Sequence, residues 1–232
     1  MSPSLPPLNL LPPYPAKVLR GQGKQRIIDA EGRQYPSVSH ILQRTKPRAD
    51  RLALQAWRQR VGVHEAQRIA TQASGRGVSL HTVLKNYLSH QPWSVSAKAE
   101  PYWQSIQAFL SRIESVRLVE GFVCHQTCGY AGRVDCVIEC EGEPVLIDWK
   151  SAGKPKHPDY LRDTPLQLVA YWGALEHCYP ELALSRCAIV VALPHQEAQI
   201  FWFSRSQYAD LWQQWRQRLD EFWRLSRFNP NN

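Results

Sequence analysis

The run Val145-Leu146-Ile147-Asp148-Trp149-Lys150 sets a carboxylate and an ammonium two residues apart at the end of an apolar segment. In a β-strand, residues two apart share a face, so Asp148 and Lys150 point one way while Val145, Ile147 and Trp149 point the other way, into a core. Such a strand end offers a metal ligand next to a cation. Upstream, Gly129-Tyr130-Ala131-Gly132-Arg133-Val134-Asp135 brings a second carboxylate on another strand-like segment. If the two strands pair, Asp135 and Asp148 can hold one hard cation such as Mg2+, which prefers oxygen ligands. A cation held there lowers the pKa of a bound water and polarises a phosphate. Lys150 then positions the water or neutralises charge on the transition state. Taken alone, D-x-K is a common triplet, and a surface salt bridge between Asp148 and Lys150 accounts for it as well. Gln167 and Tyr171, four apart and so on one helix face, stand in a stretch that is otherwise apolar nearly all round. A Gln in so buried a helix needs a hydrogen-bonding reason, which nearby backbone could also supply.

The elements that must position these groups follow from periodicity. Residues 1–16 read as an irregular, proline-stiffened arm, and 17–232 as a single domain. Gln25 to Tyr35 alternates around Asp29-Ala30-Glu31-Gly32, a hairpin signal. A helix capped by serine begins at Pro36-Ser37-Val38-Ser39 and stops before Pro47. Arg51 to Leu88 is mostly helical, and a further helix is expected from Pro101 to Arg117. Thereafter Leu118–Thr127, Gly132–Glu141 and Pro144–Lys150 read as strands, Thr164–Cys178 as a helix, Cys187–Leu193 and Gln199–Ser204 as strands, and Ser206 to about Arg227 as an amphipathic helix. The helical part thus spans about 37–117 and the α/β core about 118–232.

The chain has 232 residues and a formal charge of +8, which suits a polyanionic partner. No apolar run is long enough to span a membrane. Met1 to Pro15 carries no charge and has neither a secretory nor a mitochondrial leader pattern, so the expectation is a cytoplasmic protein. The six cysteines include two C-x3-C pairs, Cys124/Cys128 and Cys136/Cys140, in strand-like segments. Alternation puts each pair on one face, as suits small buried thiols better than a metal knuckle.

G-x-x-D, then D-x-K, then Q-x-x-x-Y resembles the RecB-like branch of the PD-(D/E)XK nucleases. The runs Tyr130 to Val137, Val145 to Ser151 and Pro165 to Ala174 are similar to the mitochondrial genome maintenance exonuclease family. The likeness extends upstream through Glu120, His81 and Tyr35 to Ser39, covering nearly everything after about residue 33. It implies a restriction-endonuclease-like α/β core, with a mixed central sheet flanked by helices, behind a helical N-terminal half. It implies Mg2+- or Mn2+-dependent hydrolysis of single-stranded DNA from a free end. By the same resemblance Asp135 and Asp148 are metal-binding acids, Lys150 the catalytic lysine, Gln167 its helix support and Tyr171 the aromatic companion. His81 matches a histidine near the metal, and Glu120 a family acidic position. On residues alone, His81 reads as a core histidine beside Leu80 and Leu84, and Glu120 as a surface charge. Some RecB-like nucleases hold an iron–sulfur cluster on four cysteines. No cysteine precedes Cys124 or follows Cys187 here, so none is expected.

Candidate phosphate contacts are Arg44, Lys46 and Arg48, then Lys154, Lys156 and His157, with Ser37 and Ser39 at a helix N-terminus. Trp93, Tyr102 and Trp103 could stack on bases, although Trp103 fits a core better. Partners expected are single-stranded DNA and other DNA replication or repair proteins. The alternatives are an endonuclease or a repair or defence nuclease acting with partners, and a catalytically silent nucleic-acid-binding module.

Overall fold

The strand that carries Asp148 and Lys150 is apolar on both faces, and the chain builds a helical layer against each. The computed structural model describes residues 4–21, 24–161 and 163–228. It opens with a three-stranded antiparallel sheet of β1 (Ala16–Gly21), β2 (Lys24–Asp29) and β3 (Gln34–Pro36). Helices α1 (Val38–Arg44), α2 (Arg48–Val61), α3 (Val63–Leu88) and α4 (Glu100–Leu110) follow. Next come β4 (Ser115–Val119), β5 (Phe122–His125), β6 (Tyr130–Arg133), β7 (Cys136–Cys140) and β8 (Glu143–Ser151). The chain then runs through α5 (Thr164–Cys178), β9 (Arg186–Ala192), β10 (Gln199–Ser204) and α6 (Arg205–Phe228). The central sheet has the order β10-β9-β8-β7-β4, with β8 and β9 parallel and the other pairs antiparallel. This is the mixed, helix-flanked sheet that the sequence leads one to expect. No helix among the described residues is long and apolar enough to cross a membrane.

Alternation along β8 sorts its side chains. Val145, Ile147 and Trp149 join Ile138, Ala188 and Val190 under α3 and α4. Leu146 joins Val137, Ile189 and Val191 under α1, α5 and α6. The face of Asp148 is therefore as buried as the other, as befits a strand with a parallel neighbour and helices on both sides.

Several expected boundaries move. The segment 101–117 does not stay helical; α4 ends at Leu110 and the β-branched stretch that follows becomes β4. The helical run from Arg51 is broken at Gly62, whose φ of +84° no helix accommodates. Gly132 to Glu141 is not one strand but two, β6 and β7, in different sheets. The arm is less irregular than its prolines suggest. Val116 N–H donates to Pro7 O at 2.8 Å, and Asn9 and Leu11 N–H donate to Val116 O and Arg117 O at 2.9 and 2.8 Å. The arm thereby covers the free edge of β4, which would otherwise expose unpaired backbone groups. Tyr87 Oη and Tyr179 Oη donate to the carbonyls of Ser4 and Pro12 and fix it further.

Arg218 joins three helices. Its guanidinium donates to Leu42 O at 2.6 Å, Thr45 Oγ1 at 2.7 Å and Asp163 Oδ1 at 2.8 Å, tying the end of α1 and the start of α5 to α6. Removing it strands a half-buried carboxylate and two acceptors. Arg218→Met is expected to cost roughly 2–4 kcal/mol in urea unfolding. An unchanged midpoint would show the tie to be dispensable.

Candidate active site

The site begins at a bend. The ribbon formed by β4–β5 and β6–β7 folds at Glu120-Gly121 on one strand and Val134-Asp135 on the other. Its hydrogen bonds cross the fold, from Glu120 N–H to Asp135 O at 2.8 Å and from Val134 N–H to Gly121 O at 2.9 Å. Glu120 takes a left-handed conformation, φ +49°, which costs a non-glycine residue about 1–2 kcal/mol. Gly121 follows because a Cβ there would lie 2.5 Å from Leu118 Cδ1. The bend ends β6 and leaves Asp135 just ahead of β7. Continuing the β7–β8 register by one step from Cys136 opposite Ile147 puts Asp135 beside Asp148.

The main chain of Trp149 fixes the next two groups. Its N–H, past the end of the ladder with β7, donates to Asp135 Oδ2 at 2.8 Å. Its carbonyl lies 3.0 Å from His81 Nε2, reaching in from α3. A carbonyl only accepts, so Nε2 carries a proton, and a neutral ring held this way has its lone pair on Nδ1. That nitrogen faces Asp135 Oδ1 at 3.5 Å. Glu120, held by Arg133 Nε at 3.0 Å, completes a group of donors with His81 and Asp135 whose ligand atoms lie within 4.8 Å of one another. Opposite donors around an octahedral divalent ion stand about 4.2 Å apart. Three side chains thus fit one cation with little movement.

Asp148 is buried, 2% exposed, on the α5 side of β8, and its Oδ2 lies 2.5 Å from Lys150 Nζ. It stands outside the tight group of three donors and inside the same electrostatic field. Burial, then the negative charge of Asp148, pushes the Asp135 carboxyl up to about 6, against the pull of His81, Lys150 and the Trp149 N–H. Burial works to lower the Lys150 pKa, but Asp148 and Asp135 outweigh it and hold the ammonium above its ordinary value. Without a cation the pocket is more negative than its burial favours, which is the condition a divalent ion relieves.

Gln167 and Tyr171 lie on the helix over this face. Gln167 Nε2 donates to Tyr171 Oη at 3.1 Å, so the half-buried amide finds a side chain rather than backbone. Burial raises the Tyr171 phenol well above its ordinary range; the Gln167 hydrogen bond opposes this, while Asp148 and Asp135 add to it. The ring packs on Gly132, where a Cβ would come 2.3 Å from Tyr171 Cε1. That contact explains the glycine of G-x-x-D.

The expected phosphate contacts are spread more widely. Ser37 is buried and caps α1 by accepting the His40 N–H at 3.2 Å, with Ser39 Oγ, on an exposed residue, 3.2 Å away. Lys154 and Lys156 are exposed on the loop after β8, where the Gln199 side-chain amide accepts from Lys156 N–H and donates to its carbonyl. Trp103 belongs to the core, packed on Tyr87 and Trp93. All six cysteines are free thiols. Cys136 and Cys140 share a buried face of β7, but Cys128 falls in the turn after β5, where its N–H bonds to His125 Nδ1. Two contributors carry no sequence signal. Trp149 acts through its peptide groups, and Arg133 matters only because the bend brings Glu120 to it.

Comparison with known proteins places the chain in context. Residues 40–230 match the family described as the PD-(D/E)XK nuclease superfamily. The chain is similar to mitochondrial genome maintenance exonuclease 1 of Mus musculus, 30% identical over 207 residues, covering 84% of this chain and 61% of that protein. The Homo sapiens protein of that name is 32% identical over 208 residues, covering 81% and 58%. The one from Xenopus tropicalis is 31% identical over 199 residues, covering 81% and 57%. The chain spans about three fifths of the length of these relatives.

The charge balance predicts a pH signature. Asp135 has a folded-state pKa of about 6 against an ordinary 3.8, so the fold keeps a proton that the unfolded chain releases. The associated stability is present at low pH and is lost as pH rises from about 4 through 6, in total roughly 3 kcal/mol. Asp135→Asn escapes that loss. Without divalent cations its melting temperature should exceed the parent's by several degrees at pH 8, at about 2–4 °C per kcal/mol, and the gap should close at pH 4. A gap independent of pH would contradict the charge balance.

Proposed function

Because the chain belongs to the PD-(D/E)XK nuclease superfamily, we propose that it is a Mg2+- or Mn2+-dependent deoxyribonuclease that degrades single-stranded DNA from a free end. The observation that carries this reading is the meeting of His81, Glu120 and Asp135 next to the buried Asp148 and its partner Lys150. The name of the similar vertebrate proteins supports the exonuclease part.

In this reading Asp135, His81 and Glu120, with Asp148 beside them, hold the cation. A divalent ion bound there supplies Lewis acidity at the phosphate and activates water for attack. The imidazole nitrogen among the donors favours Mn2+ over Mg2+ in affinity. Lys150, kept as an ammonium by two carboxylates, neutralises charge that grows on the phosphate oxygens in the transition state. The backbone of Trp149 keeps His81 in the tautomer whose free nitrogen faces the carboxylates. Gln167 and Tyr171 close the α5 side of the site. In the same reading Ser37, Ser39, Lys154 and Lys156 contact phosphates of the strand without reading its sequence. Such an activity belongs with DNA maintenance, alongside replication or repair proteins.

The test uses end-labelled linear and circular single strands and duplex, with Mg2+ or Mn2+. Linear single strands should be degraded, circles and duplex spared; cleavage of circles would make the enzyme an endonuclease. In single-turnover assays Asp148→Asn and Lys150→Ala should each lose about 100- to 1000-fold in rate and retain affinity for the strand. Parent-like cleavage by both variants would remove these residues from the chemistry.

A further inference from the structure

Arg76 lies on α3 five residues before His81, between Gly75 and Gly77, and the fold does not account for its charge. Its Nε donates to Ser151 Oγ at 3.3 Å, and its guanidinium lies over the Tyr102 ring, 5.2 Å from the centroid. Both partners are neutral. The Lys98 ammonium reaches the same stretch of helix, 3.5 Å from where a Gly75 side chain would begin. Among the described residues no carboxylate pairs with Arg76 or Lys98. Two cations therefore reach neighbouring residues of α3 with no ion-pair partner among the described residues, an arrangement that attracts an anion.

The glycines add an independent observation. A helix-interior glycine costs about 1 kcal/mol relative to alanine. Gly77 is not there for packing, since a Cβ at that position would meet nothing within 4 Å. The surface beside it is open. Its place is informative too. α3 touches β8 through His81 at Trp149 and through Arg76 at Ser151, the residue after Lys150. Five helical residues span about 7.5 Å, so the patch sits just beyond the sheet end, next along from the candidate metal ligands.

We infer that Arg76 and Lys98 bind a backbone phosphodiester of the substrate strand, adjacent to the one held at Lys150. This rests on the nucleic-acid reading given above. The planar guanidinium offers two parallel N–H donors to phosphate, and Ser151 and Tyr102 hold the fork in orientation. The contact is to the backbone and carries no sequence preference.

Binding of fluorescein-labelled oligothymidine, followed by anisotropy in EDTA across a salt series, tests this with melting curves measured alongside. Arg76→Ala should weaken binding about ten-fold or more and reduce the slope of log affinity against log salt by about 0.7. Lys98→Ala should reduce the slope similarly, while Arg76→Lys should keep the slope and still bind more weakly than the parent. Parent-like affinity and slope in both alanine variants overturn the inference. Lys98 is exposed, so its variant carries the test if Arg76→Ala fails to fold. A parent protein that binds through Arg76 but cleaves nothing with Mn2+ removes the nuclease reading and leaves this inference standing. Cleavage that is indifferent to both cations does the reverse.

Discussion

The peptide groups of Trp149 are the constraint on which the rest of the site depends. The N–H of this residue holds the Asp135 carboxylate and its C=O holds the His81 ring, so one β8 residue orients groups from a bent ribbon and from α3. Side chains alone would do this poorly, because a long side chain loses rotamer entropy when fixed and a backbone in a central strand is already fixed. β8 is central, with β7 on one side and β9 on the other, and it is covered on both faces. The geometry of the candidate site therefore inherits the rigidity of the core. The side chain of Trp149 serves that core as well, its Nε1–H donating to Cys136 Sγ at 3.2 Å.

Around that anchor the protein tolerates several unfavourable features. Glu120 sits in a left-handed conformation, Asp148 is buried, and burial beside Asp148 pushes the Asp135 carboxyl above its ordinary range. Each is destabilising by itself, and together they surround one small volume. Local strain and crowded negative charge at one place are what a cation-binding catalytic centre requires, and neither improves packing. The Lys150 ammonium balances part of the charge in the cation-free state, and the same ammonium would face a phosphate in the loaded one.

What could be read from the amino-acid sequence and what could not divide along a physical line. The short apolar run of Val145 to Ile147, ending with Asp148 and Lys150 on one face, marks β8, and the all-round apolar pattern of Thr164 to Cys178 marks α5 with matching ends. The pairing of Gln167 with Tyr171 follows from their spacing on that helix. The bend at Glu120 and Asp135 does not announce itself, because Gly132 to Glu141 alternates as one strand would and the break depends on the partner strand bending at the same place. β4 was hidden for a related reason: its order comes from the arm and β7 rather than from its own pattern. His81 reads locally as a core residue; only the family resemblance singled it out in the sequence, and the carbonyl of Trp149, 68 residues away, orients it.

The central claim is that this backbone-anchored group forms a single divalent-cation site. Manganese anomalous scattering from crystals soaked in Mn2+ addresses it directly. The account predicts one strong peak within about 2–2.5 Å of Asp135 and of at least two among His81 Nδ1, Glu120 and Asp148, with His81 Nε2 still on the Trp149 carbonyl. A peak placed elsewhere, or none at these side chains when Mn2+ is saturating, would contradict it.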